Sequence, residues 1–491
     1  MELLRLTPLD RWTLEQACLG TLITGGTGGG KTSGPFQYAI RSFLRAGFGG
    51  LFLCAKPDDA TKYKNLAEAE GRANDVIPFR IGEQGFNFLT YEASRGGEGH
   101  AVIQNLVFLL MQAAEITARN SKQDFFDQAM TQLLSHCLEV VTAATGGVDL
   151  ALVQDIVRTL PKTRTQADDG ERLRSMQILA QAERLAPPER KPDIENARRY
   201  FIDEWAGLDD RTRSNIAITL SVLLDSFHRY PLRDLLLASS SVTPDDVLAG
   251  KIVIVDVNEM TWKLVSKIAG VIWKSSMQRA IERRPGLNSH PDLLRPIFIA
   301  ADEAQFWASS NDQTFQTTAR SARGLSVYAT QNLHNFFSEF GASDTSGHSR
   351  VKSLLGNLQN RFGCQNLDDE TNRWYADSLG KIKVEQKSSS KSKSVTPPSP
   401  DDFSGVPKEN TTTGENVSIH EEYALPPNFF TRLKRGEDAQ GKLVESILIS
   451  AGKTFMWGPL KQAHQWVKLT FHREELPKSM FTARVRITAR K

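Results

Sequence analysis

Apolar residues follow two rhythms along this chain. Short unbroken apolar runs occur near its start and again in its second half, and a 3.6-residue spacing fills the stretch between. The first runs are Leu22-Ile23 and Leu51-Phe52-Leu53-Cys54. Phe36 to Leu44 has helical spacing, and Gly47-Phe48-Gly49-Gly50 is a turn. Strand, helix and strand in that order make a βαβ unit, which implies a parallel sheet with helical cover. Lys56-Pro57-Asp58 then ends the second strand at the sheet edge where ligands bind in such folds.

From about residue 98 the period becomes helical. Val102, Leu106, Leu109 and Ala113 share one face; Phe126, Ala129, Leu133 and Cys137 share another. Ile216, Leu220, Leu223 and Phe227 repeat the pattern beyond the break at Pro187-Pro188. The expectation is an all-α domain over 98–240, inserted into an α/β domain. His136, inside the periodic stretch, reads as a core or boundary histidine and not a ligand.

The sheet resumes with Lys251-Ile252-Val253-Ile254-Val255-Asp256, followed by Pro296 to Ala301, Ser326 to Ala329 and Arg361 to Cys364. Each run is short and apolar, as buried parallel strands are. Residues 385–416, rich in Ser, Lys, Pro and Thr, carry too little apolar content to order themselves. Leu443 to Phe455 and Trp466 to Phe471 read as late strands of the same domain. The division expected is therefore 1–97 and 241–384 as two parts of one nucleotide-binding domain, 98–240 as the helical insertion, 385–416 as a disordered insertion, and 417–491 as the domain's C-terminal part.

Composition narrows this only slightly. The chain has 491 residues, 24% charged and 40% hydrophobic, with a net charge of +3. That is ordinary for a globular protein of two or three domains. A wholly basic surface is excluded; a narrow basic pore is not. Cys18, Cys54, Cys137 and Cys364 are far apart, so neither a zinc site nor a disulfide framework is expected. No apolar run approaches the ~20 residues of a membrane helix. With no signal-peptide pattern at the start, the expectation is a soluble cytoplasmic protein.

Chemistry enters with Gly25-Gly26-Thr27-Gly28-Gly29-Gly30-Lys31-Thr32, followed by Ser33. It fits G-x-x-x-x-G-K-[ST] between a strand and a helix, the phosphate-binding loop. Side-chain-free positions let successive N–H groups turn inward on a phosphate. Lys31 adds a point charge for the β- and γ-phosphates, and the Thr32 hydroxyl is a natural Mg²⁺ ligand.

Asp302-Glu303 directly follows the run Ile297 to Ala301. Beside a phosphate loop, the first acid holds Mg²⁺ through water and the second takes a proton from the attacking water. Gln331 closes another strand tip, where a neutral amide orients that water without competing for the metal. Arg320 and Arg323, spaced i, i+3, are either an arginine finger for a neighbour's phosphate or a solvated face. Lys162, Arg164 and Lys383 are candidate pore contacts, though each is more ordinarily a solvated charge.

The order of these segments resembles the conjugative coupling proteins of type IV secretion, the TraG/TraD type, of the FtsK/HerA superfamily. It runs through the phosphate loop, the helical insertion, the Lys251 to Asp256 strand, Asp302-Glu303, Ala319 to Gly324 and Ala329-Thr330-Gln331. Phe86-Asn87-Phe88-Leu89 and Asn366 to Gly380 are similar to two further segments of that family. The resemblance implies a RecA-like fold, ATP and Mg²⁺ as cofactors, and a hexameric ring that moves DNA. It implies Lys31, Thr32, Asp302, Glu303 and Gln331 in the roles above, with Arg320 acting in trans. Partners would be DNA and a relaxase or secretion-channel protein. The chain departs from the family in reaching its loop by residue 25, without membrane helices before it, and in having Gly29 where Ser is commoner. Two alternatives stand beside the motor: a nucleotide-switched recruiter of a protein or nucleoprotein, and a defence ATPase acting on mobile DNA.

Overall fold

The computed structural model describes residues 1–95, 100–117, 124–168, 172–286, 294–339, 345–396, 408–457, 462–474 and 480–481. Among these, nine strands form one sheet. Their order is Trp466–His472, Leu443–Ser450, Asn360–Gly363, Thr21–Thr24, Gly324–Thr330, Ile297–Asp302, Gly49–Leu53, Ile252–Val255 and Val76–Phe79. The seven from Asn360–Gly363 onward are parallel. The two late strands add antiparallel at the other edge.

Helices cover both faces, which is why the central strands read as continuous apolar runs. Neighbouring residues point into different cores. Leu22, Leu53, Ile299 and Tyr328 face the helical segment. Ile23, Phe52, Phe298 and Val327 face the helices Gln37–Arg45 and Asp59–Ala69, together with Trp12 of an N-terminal hairpin. The Val76–Phe79 strand, missed by pattern reading, is a half-buried edge strand that contains Pro78. An edge is where a strand tolerates proline.

Between Val76–Phe79 and Ile252–Val255 the described residues hold helices and no strand. The long ones include His100–Thr117, Asp124–Thr145 and Asp210–His228. Leu106, Leu109, Leu133, Cys137, Leu220 and Phe227 are buried on the faces the spacing marks. They share one continuous core with the sheet face, so the insertion leans on the sheet. Its entry and exit are tied together: the Phe86 N–H donates to the Leu235 carbonyl at 2.7 Å and Asn87 Nδ2 to the Leu237 carbonyl at 2.8 Å. His136 stacks on Tyr200 and burial lowers its pKa, a packing role. All four cysteines are buried and unpaired.

One expectation needs correction. The described parts of 385–416 are ordered as strand: Lys381–Thr396 pairs antiparallel with Lys408–Tyr423 in an exposed ribbon. Composition argues from burial, but a two-stranded ladder is held by backbone hydrogen bonds. Its Thr, Val and Ile residues favour extended backbone. Residues 397–407 lie outside the described residues.

Candidate nucleotide site

The parallel strands all end on one edge of the sheet, and the candidate residues gather there. Gly25 follows Thr21–Thr24, Asp302 ends its strand, and Gln331 follows Gly324–Thr330. Glycine is required in the loop for two reasons. Gly28 and Gly30 have φ of +71° and +88°, in the left-handed region. A Cβ on Gly29 would lie 2.5 Å from the Gln365 carbonyl, and one on Gly30 2.5 Å from Val444 Cγ1. The loop is anchored on both sides, the Gly26 N–H donating to the Gln365 carbonyl at 2.8 Å and the Gly25 N–H to the Gln331 carbonyl at 3.3 Å.

Lys31 is 7% exposed and its Nζ donates to the Gly25 carbonyl at 2.8 Å. A wide turn, Thr32–Phe36, leads into the regular helix Gln37–Arg45. Pro35 lies in that turn, close enough to the helix start that its missing N–H breaks no helical ladder.

The acid pair meets the loop. Thr32 Oγ1 donates to Asp302 Oδ2 at 2.7 Å, while Asp302 Oδ1 is buried with no hydrogen-bond partner. A hydroxyl beside a buried carboxylate oxygen that lacks a partner suits a hard cation that takes oxygen ligands, so the residues fit Mg²⁺. Glu303 adopts a left-handed conformation, φ +61°. Such backbone is uncommon for a residue with a side chain and recurs at functional sites. Its Oε1 accepts from Gln331 Nε2 at 3.2 Å and its Oε2 from Gln305 Nε2 at 3.1 Å. Gln331 in turn accepts from the Thr27 hydroxyl at 3.3 Å. The loop, the acids and the amide are therefore linked side chain to side chain.

The loop, Glu303 and Gln331 line a cleft of about 680 Å³ that also includes Lys56, Lys62, Arg435 and Arg473. Sequence reading passed over Lys62, Arg435 and Arg473, and placed Lys56 at the ligand-binding edge of the sheet without giving it a role. Lys56 lies just past a strand tip, a legible signal; Arg435 and Arg473 arrive from the antiparallel edge, hundreds of residues away. Lys56 Nζ lies 3.8 Å from Asp302 Oδ2 and 3.9 Å from Glu303 Oε1. The Lys56 backbone is fixed by Asp59, whose Oδ2 accepts from the N–H groups of Ala55 at 3.1 Å and Lys56 at 2.8 Å. Burial raises the Asp59 carboxyl above its ordinary range, the Lys56 N–H opposing.

Arg320 is not brought to this cleft. It is exposed and precedes the strand Gly324–Thr330, on the opposite edge of the sheet. Seven residues of strand, roughly 20 Å at ~3.3 Å each, separate it from Gln331. Arg323 shares that edge; its carbonyl accepts from the Ile297 N–H at 3.0 Å. Lys162 and Arg164 lie on the helical segment, where Arg164 pairs with Asp203, and Lys383 is exposed on the ribbon.

Residues 296–435 match a family model described as the TraM recognition site of TraD and TraG. Comparison with curated proteins finds no match. Solved structures match across the chain. The bacterial conjugative coupling protein TrwBdeltaN70, unbound monoclinic form, aligns with a TM-score of 0.61 at 14% identity, covering 100% of this chain and 92% of that one. The plasmid coupling protein TrwB in complex with ADP and Mg²⁺ gives 0.60 at 13%, covering 98% and 90%. TrwB with a non-hydrolysable ATP analogue gives 0.58 at 13%, covering 100% and 92%. At such identities the likeness establishes the fold. In that fold, and in sequence across residues 296–435, the chain is similar to the conjugative coupling proteins of the TraG and TraD type.

Proposed function

We propose that this chain is an ATP-hydrolysing motor of the coupling-protein kind, working as a ring that moves DNA. The observation that carries the reading is the joined set Thr32–Asp302 and Glu303–Gln331 at the mouth of a glycine-rich loop. Lys31 and the loop N–H groups hold the β- and γ-phosphates. Asp302 and Thr32 would hold Mg²⁺, which when bound offsets phosphate charge. Glu303, each of its oxygens already accepting one amide N–H, keeps lone pairs for a water proton. That water's oxygen bonds to the γ-phosphorus as its proton passes to Glu303. The bond from γ-phosphorus to the bridging oxygen breaks, and its electron pair leaves with ADP. Gln331 orients the water.

Arg320, remote from its own cleft, suits a role at a neighbour's. TrwB was solved with ADP and Mg²⁺ and with an ATP analogue, which supports the same ligands here. DNA is the proposed cargo, and a relaxase or channel protein the proposed protein partner. Imaging the protein with DNA and a slowly hydrolysed ATP analogue tests the reading. Rings encircling DNA are expected; single subunits under every condition would contradict it.

A further inference from the structure

Among the described residues, Lys56 is the one cation at this cleft placed beside both acids. Asp302 is 1% exposed and Glu303 5%, and two buried carboxylates side by side need positive charge nearby. Lys56 supplies it, yet from 3.8 and 3.9 Å, longer than a charge-assisted hydrogen bond of ~2.7–2.9 Å. Its side chain is 34% exposed, open to the cleft that the phosphate loop lines. Its place is dictated by topology. Leu53 pairs in register with Ala301, so the chain leaving Leu53 passes directly beside Asp302. Asp59 then pins the turn by accepting the Ala55 and Lys56 N–H groups, and the Asp59 N–H donates to the Lys56 carbonyl at 3.2 Å. The result is a flexible side chain on a fixed backbone, its ammonium loosely shared between two acids and open to the cleft.

We infer that Lys56 is a further catalytic residue of this site: its ammonium contacts the γ-phosphate and stabilises the charge that spreads over it as the bond to ADP breaks. The inference rests on the ATPase reading above. Lys31 approaches the phosphates from the loop, and Lys56 approaches from the acid side, next to the water held by Glu303. Lys56 exchanges no proton. Its contact is stronger in the transition state than with bound ATP, so it acts on turnover and hardly on affinity.

The test compares full-length wild type, Lys56→Met, Lys56→Arg and Lys31→Ala, each with DNA and Mg²⁺. Lys56→Met is expected to bind ADP and ATP as wild type does, to lose ~10²-fold in kcat, and to fail to trap ADP with aluminium fluoride. Lys56→Arg, which keeps the charge, is expected to regain part of the rate. Lys31→Ala is expected to lose nucleotide binding itself. Wild-type turnover and trapping in Lys56→Met would overturn the inference while leaving the ATPase reading intact. An equal loss of ADP affinity in Lys56→Met would overturn it too, because the lysine would then serve the fold or the β-phosphate. Wild-type nucleotide binding by Lys31→Ala would instead bring down the ATPase reading.

Discussion

The Thr32 hydroxyl donates to Asp302 Oδ2 at 2.7 Å, joining the glycine-rich loop to the tip of the acid strand across 270 positions of sequence. Two oxygens at that spacing suit one small cation. Thr32→Ala removes one of the two and takes away no charge. The variant is expected to keep its fold and to need more Mg²⁺ for the same nucleotide affinity, with Thr32→Ser close to wild type. Titrating Mg²⁺ at fixed nucleotide measures this. An unchanged Mg²⁺ requirement in Thr32→Ala would remove Thr32 from the metal site.

Glu303→Gln separates binding from chemistry. The side chain sits between two amide donors, Gln331 Nε2 and Gln305 Nε2. An amide there still accepts one of them and fits the same space, but it takes no proton from water. ATP with Mg²⁺ is expected to stay bound while turnover falls by ~10²–10⁴-fold. Single-turnover hydrolysis at the wild-type rate would send the search for the base elsewhere.

The glycine-rich loop and the acid pair of the proposed site were legible because each is a local pattern. A glycine-rich turn between strand and helix, or two acids at a strand tip, declares itself within a few residues. The parallel strands were legible because burial on both faces leaves unbroken apolar runs, as in Ile252–Val255. Arg435 and Arg473 were not, and Lys56 was legible as a strand-tip residue but not as a neighbour of the two acids. Their place in the cleft depends on strand order, which brings positions 53, 301 and 444 toward the same loop. The ribbon was misread because Lys381–Thr396 and Lys408–Tyr423 order by pairing, and pairing leaves little trace in apolar content.

Arg320 provides a test of the ring. A trans-acting arginine is worth ~10³–10⁵ in rate, so Arg320→Ala is expected to bind ATP normally and to be nearly inactive. Glu303→Gln is inactive for a different reason and keeps its arginine. Mixing the two variants regenerates complete sites at some interfaces, so partial activity is expected from the mixture. A silent mixture, under conditions where wild-type rings form, would return Arg320 to a solvated surface residue.

The most direct measurement is steady-state ATP hydrolysis by wild type and Lys31→Ala, with and without DNA, over a range of protein concentrations. The account predicts a rate per subunit that climbs with concentration and climbs further with DNA, against none from Lys31→Ala. A wild-type rate indifferent to both DNA and concentration, or activity surviving in Lys31→Ala, would contradict it.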